Sequence, residues 1–96
     1  SIDLTTKDFL PRHKLDSSTL LELFSWTEEE FLKKTEGSPI RRLGYLRWLR
    51  NISVGIGNSP YSEENVQALE ARKIFNDPVL DEHIEWAIQA QLKQIL

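Results

Sequence analysis

The chain has 96 residues, 40% of them hydrophobic and 28% charged, with a formal net charge of -3. That is the profile of one small globular domain, not of two domains or a disordered segment. The absence of cysteine excludes a disulfide scaffold, a thiol nucleophile and a thiolate metal site, and His13 and His83 alone are too few for a histidine metal cluster.

No apolar run approaches the roughly 20 residues that span a bilayer, and no secretory leader is visible, so the expected location is the cytoplasm. The chain also lacks methionine, which leads us to expect a processed protein or a piece of a longer one.

Residues 1–16 have no clear hydrophobic period. With Pro11 and mixed polar content, they read as an extended arm or linker from an upstream domain, pinned by Phe9 and Leu10. Residues 17–96 read as a single helical domain. A first short helix is expected from Ser18 to Ser25, carrying Leu20, Leu21 and Phe24. Thr27 and Glu30 have the spacing of a capping box, with Trp26 and Phe31 at the flanking staple positions, so a second helix should run from there to Thr35 and stop at Gly37. Ser38-Pro39 reads as N-cap and first residue of a long central helix reaching Ile56 and ended by Gly57-Asn58. Ile40, Leu43, Leu46, Leu49, Ile52, Val54 and Ile56 make that helix apolar on most sides, as expected of an element wrapped by several neighbours. Gly44 and Gly55 lie inside it at a cost of about 1 kcal/mol each relative to alanine. A closely approaching neighbour is the expected compensation. Ser62 caps a fourth helix running to Phe75, with Tyr61 and Val66 in staple positions. Asp77-Pro78 opens the last helix, whose inner face is Leu80, Ile84, Ala87, Ile88, Gln91 and Ile95.

The expected fold class is therefore all-α, about five helices with a long central one, and no segment alternates as a strand does. Pro39 and Pro78 each start the second helix of a pair, and they lie 39 residues apart. That spacing matches the period of HEAT-like helical hairpins, which bind along a face more often than they catalyse.

Charge is distributed unevenly. Lys33, Lys34, Arg41, Arg42, Arg47 and Arg50 stand against the single acid Glu36 between positions 33 and 50, and acids dominate positions 63–85. A local field of this kind guides a ligand more than the net charge does. Arg41 and Arg42 fall in the expected first turn of the central helix, where cations are disfavoured by roughly 0.3–1 kcal/mol each unless an anion arrives. With Gly37-Ser38-Pro39 before them, they make a candidate phosphate site. Arg47 and Arg50, three apart on one face, would extend it into a stripe that positions a nucleic acid through its phosphates, with Lys33 and Lys34 in support. The competing reading pairs these cations with Glu29, Glu30, Glu70 or Glu85, contacts that are worth little when exposed.

Tyr45 and Trp48 could stack on bases or serve as core, and Trp26 and Trp86 read as core. Asn51 could contact a base or sugar, or form a helix–helix hydrogen bond. His83 reads as a structural histidine, and Asp81, Glu82 and Glu85 as a solvated helix face. No nucleophile elbow or dinucleotide loop is present, and no catalytic residue or metal ligand is assigned.

The segment from Phe31 to Asn58, with Gly-Ser-Pro-Ile-Arg-Arg at 37–42 and Leu-Arg-Asn at 49–51, resembles the C-terminal domain of epoxyqueuosine reductases. The opening Leu20-Leu21-Glu22-Leu23-Phe24-Ser25-Trp26 and the tail Leu80–Ile88 fit the same family. The resemblance covers residues 9–96. It implies a parent oxidoreductase, a cytoplasmic bacterial enzyme of queuosine biosynthesis that uses cobalamin and two [4Fe–4S] clusters to reduce epoxyqueuosine to queuosine in tRNA. The cobalamin domain and the ferredoxin-like domain with its cluster cysteines would lie upstream. This chain would then be a cofactor-free, non-catalytic module that holds the tRNA anticodon stem-loop. A helical interdomain docking module without RNA contact is the alternative.

Overall fold

The structure is a computed structural model that describes residues 17–73 and 77–96. The expected arm, residues 1–16, and the expected end of the fourth helix at Phe75 lie outside the described residues. Five α-helices make up the described chain: α1 (Ser17–Phe24), α2 (Glu28–Lys34), α3 (Tyr45–Gly57), α4 (Glu63–Arg72) and α5 (Pro78–Lys93). A 3-10 helix, Pro39–Leu43, joins α2 to α3. No strand occurs among the described residues, so the class is all-α, and the order of elements is compatible with helical hairpins.

The starts follow the expected chemistry. Thr27 accepts from the Glu30 amide at 3.1 Å while the Glu30 carboxylate accepts from the Thr27 amide at 2.9 Å, a complete capping box. Ser62 accepts from the Asn65 amide, and Asp77 from the Leu80 amide with Pro78 at the first helical position.

The long central helix is the main departure from expectation. It is broken at Gly44, whose φ of +87° and ψ of 152° lie outside the helical region and are open almost only to glycine. The residues before the break form a 3-10 turn capped by Ser38, whose hydroxyl accepts from the Ile40 amide. The α-helix begins only at Tyr45. The surface expected to be apolar on most sides is also divided. Tyr45, Trp48, Leu49, Ile52 and Ile56 are buried, whereas Leu43 and Leu46 are exposed alongside Arg47 and Asn51. The helix is nonetheless central: α3 packs on α5 most extensively and also meets α1, α2 and α4.

The close approach expected at Gly44 and Gly55 occurs instead at Gly57, the last residue of α3. A Cβ there would lie 2.9 Å from the Ala87 Cα and 2.8 Å from the Trp86 ring, so no larger residue fits without moving backbone. At Gly55 a Cβ would meet only the Leu20 methyls, at 3.4–3.5 Å, and at Gly44 the requirement is conformational. Beside Gly57, Gln91 is fully buried with all four of its hydrogen bonds made. Its amide nitrogen donates to the carbonyls of Ile56 (2.9 Å) and Ser59 (2.8 Å). Its oxygen accepts from the Ser62 amide (3.1 Å) and the Asn65 side chain (3.3 Å). Gln94, one turn on, donates to Ser59 and accepts from the Tyr61 amide. Ile95, expected on the inner face, lies past the helix end and is exposed.

At the other end of the domain, aromatic rings fill the space between α1, α2 and α3. Trp26 stacks on Trp48 at 5.4 Å, and Phe31 lies 5.2 Å from Trp48 and 5.7 Å from Tyr45, separations at which such pairs attract. Trp48 is thus core rather than a base-stacking surface. Carbonyls at the end of α1 and in the turn after it accept from side chains. Trp48 donates to Leu23, Tyr45 to Trp26, and Arg72 of α4 to both Phe24 (2.7 and 3.0 Å) and Trp26 (2.9 Å).

These contacts fix the behaviour of three glycines. Gly57→Ala should destabilise the protein by about 1–3 kcal/mol through overpacking, and Gly44→Ala by a similar ~1–3 kcal/mol through strain. Gly55→Ala should be neutral or stabilising by up to about 1 kcal/mol. Denaturant melts of the three variants check the order, and a Gly57→Ala protein as stable as the parent would refute the packing described. Burial raises the Tyr45 phenol above its ordinary pKa of 10.0, with the nearby Arg72 charge opposing it. The folded state therefore favours the neutral phenol. Its contribution is full below pH about 10 and is lost as pH rises from the unfolded value through the folded one. Tyr45→Phe should flatten that part of an alkaline stability profile.

Candidate nucleic-acid interface

The break at Gly44 reshapes the basic site. Arg41 and Arg42 were expected in the first turn of an α-helix, facing its positive end. They lie instead in the last turn of the five-residue 3-10 helix, before the glycine and outside α3. The helix-dipole reason for an anion site at this position therefore falls, because so short an element has no aligned dipole of consequence. The two exposed side chains line one open recess of about 660 Å³ with Leu32, Gly37, Ser38 and Pro39.

Arg47 and Asn51 are exposed on α3, and Arg50 is half-buried between them with its Nε enclosed and without a hydrogen-bond partner. Lys33 and Lys34 are exposed at the end of α2, where Lys34 sits 5.5 Å over the Trp26 ring. The structure thus brings Arg41 and Arg42 together in one recess and sets Arg47, Arg50 and Asn51 along a helix face. The lysines do not line that recess.

Tyr45 leaves the candidate surface. It is only 6% exposed and its hydroxyl is given to the Trp26 carbonyl, so its ring is used in packing. Trp86, read as core, is 48% exposed on α5. Its sequence neighbours Ile84, Ala87 and Ile88 do face inward, and a one-residue offset from a helix's buried stripe is hard to recognise without knowing which helix it faces.

The acids proposed as partners do not take up the arginines. Among the described residues, Arg41, Arg42, Arg47 and Arg50 form no ion pair. Glu30 closes its own capping box, and Glu85 pairs with Lys73 at 3.0 Å and accepts from Gln89 at 3.1 Å. The hydrogen bond and charge of Lys73 hold the Glu85 carboxyl below its ordinary pKa, and those of Glu85 hold Lys73 above its own. Arg72 has a role that sequence reading missed. Its guanidinium fork binds the α1 C-terminus and lies 5.8 Å from the Phe24 ring. No local signal separates it from the surface arginines, since its partners are 46 and 48 residues away.

His83 directs Nδ1 at the Val79 carbonyl, 2.8 Å away and one turn back, a structural contact. No group of three metal-binding side chains occurs among the described residues, and no described helix is long and apolar enough to cross a membrane. An iron–sulfur cluster needs thiolate ligands, and with no cysteine this chain does not fit one.

No family profile matches the chain, and neither does any solved structure. Curated proteins do. An epoxyqueuosine reductase of Salmonella typhimurium is 59% identical over 87 residues, covering 91% of this chain and 22% of the relative. One of Escherichia coli is 57% identical over 90 residues, covering 94% and 24%, and one of Pseudomonas aeruginosa is 56% identical over 82 residues, covering 85% and 23%. The chain thus spans less than a quarter of the length of these relatives. At that identity, over most of its residues, this all-helical chain belongs to the epoxyqueuosine reductase family, and its short share of the relatives is consistent with a C-terminal domain.

Proposed function

We propose that this domain is a non-catalytic tRNA-holding module of an epoxyqueuosine reductase, a cytoplasmic oxidoreductase that acts on the anticodon stem-loop. The observation that carries the reading is the set of exposed cations without acidic partners. Arg41 and Arg42 share an open recess, and Arg47 stands with Asn51 on α3, in a chain whose net charge is -3. Unpaired arginines suit phosphate because their planar fork donates two parallel hydrogen bonds to it. In this reading Arg41, Arg42, Arg47 and Arg50 hold phosphates, Lys33 and Lys34 add field, and Asn51 reaches a sugar or base edge. Reduction, with the cobalamin and [4Fe–4S] clusters that the family resemblance implies, belongs to upstream domains, and no step of it is assigned to these residues.

A specific observation supports a second reading. Leu32, Leu43 and Leu46 are exposed near the same arginines, as on a surface that docks against another domain of the same protein. The two readings separate on one double variant, Arg41→Ala/Arg42→Ala, in the full-length protein. If both arginines hold phosphates, tRNA affinity falls and the slope of log affinity against log salt becomes shallower by about 1 for each arginine removed. If they dock a neighbouring domain, the slope is unchanged and new protease-sensitive sites appear. An unchanged affinity with an unchanged slope would sink the phosphate reading.

A further inference from the structure

Trp86 lies in a second recess, of about 280 Å³, lined by Gly57, Asn58, Gln89, Ala90, Lys93 and Gln94. Three of its side-chain groups are available: among the described residues the Trp86 indole N–H, the Asn58 side-chain amide and the Lys93 ammonium have no hydrogen-bond or ion-pair partner. The ring is also held in place. Its inner edge packs on Gly57, where even a Cβ would collide with it, while nearly half of its surface faces solvent. A supported aromatic face with a polar rim is the form of a stacking platform for a nucleobase.

The outer side of α3 runs from Arg47 toward this recess. Arg47, Asn51 and the half-buried Val54 on α3, and Asn58 just past its end, are spaced four, three and four residues apart, so they lie along one side. Eleven residues at 1.5 Å each make that side about 16 Å long. It begins at a cation and ends at Asn58, in the wall of the Trp86 recess. On α5, Lys93 extends the basic character past Trp86. Of the three acids on α5, Glu82 lies one turn before Trp86, Asp81 lies five residues before it and so on another side of the helix, and Glu85 pairs with Lys73 at 3.0 Å.

We infer that Trp86 stacks an unpaired base of a single-stranded RNA segment whose phosphates run along the Arg47–Asn51–Asn58 side of α3, with Asn58 at the base edge and Lys93 on the flanking phosphate. The inference rests on the RNA reading of this domain. It extends that reading from phosphate contact, which carries no sequence information, to contact with a particular unpaired base.

The test uses the full-length protein and an anticodon stem-loop hairpin RNA in which loop bases are removed one at a time, leaving the backbone intact. With the parent protein, one abasic position should weaken binding by about 5- to 150-fold, the range of a single base–aromatic stack. With Trp86→Ala, affinity for the intact hairpin should fall by the same factor. Removing that base should then have no further effect, and the salt slope should stay unchanged because no charge is removed. Trp86→Phe keeps a ring against Gly57 and should retain most of the affinity, which separates stacking from weakened packing. The inference is overturned if no abasic position couples to Trp86, or if Trp86→Ala leaves RNA affinity intact, including the case where it instead exposes a domain contact to protease. Arg47→Ala in the same assay keeps the two proposals distinguishable. A shallower salt slope for Arg47→Ala without Trp86 coupling leaves the phosphate reading standing and the stacking inference refuted. Absence of both effects refutes the stacking inference together with the phosphate contact of Arg47, and the Arg41→Ala/Arg42→Ala variant decides the phosphate reading itself.

Discussion

The contact between the end of α3 and the middle of α5 is the constraint on which the rest of this fold depends. Gly57 lets the two backbones come together over Ala87. That approach brings Gln91 within reach of the carbonyls of Ile56 and Ser59, and its other end within reach of Ser62 and Asn65. One buried amide therefore ties the last turn of α3, the connecting loop and the first turn of α4 to α5. A buried amide left half-satisfied is costly, and a fully satisfied one favours a single arrangement of its neighbours. The loop needs such ties because backbone polar groups turned inward between helices have no water to bind.

A second set of contacts works at the opposite end of α3. The turn after α1 points its carbonyls at the domain interior. Arg72, Tyr45 and Trp48 meet them from α4 and α3. Rings of Trp26, Phe31, Tyr45 and Trp48 then fill the space beneath. This use of side chains sorts residues of the same type into different roles. Arg72 is consumed in structure, whereas Arg41, Arg42 and Arg47 remain at the surface. Trp26 and Trp48 are interior, whereas Trp86 keeps a face to solvent.

The same sorting explains how a chain of net charge -3 presents a basic face. Its acids are placed where local structure uses them: Glu28, Glu29 and Glu30 in the first turn of α2, Glu63 and Glu64 in the first turn of α4, and Glu85 on Lys73. Acids in a first turn complement the helix dipole. The arginines of the 39–51 region lie in a 3-10 turn and on the outer side of α3, away from those positions. Their field is local, and an approaching polyanion responds to that field before it responds to the total.

The sequence by itself determined the helical class, the starts of α2, α4 and α5 and the basic segment, because each is written in contacts three or four residues long. Thr27 with Glu30, Ser62, and Asp77 with Pro78 act within a single turn, and the structure shows each of them in place. Arg41, Arg42 and Arg47 were legible as a basic cluster for the same reason. Tertiary structure decided everything that depends on a distant partner. Gly44 reads from the sequence as a tolerated residue inside a helix, but it breaks the helix there, and Tyr45, Trp48 and Leu49 beyond it are buried in the core. Gly57 reads as a helix stop, and only the approach of α5 makes it the most closely packed of the four glycines. Tyr45 lies inward and Trp86 outward because a ring's environment is set by which helix packs against it. That depends on residues dozens of positions away, beyond the reach of any local pattern.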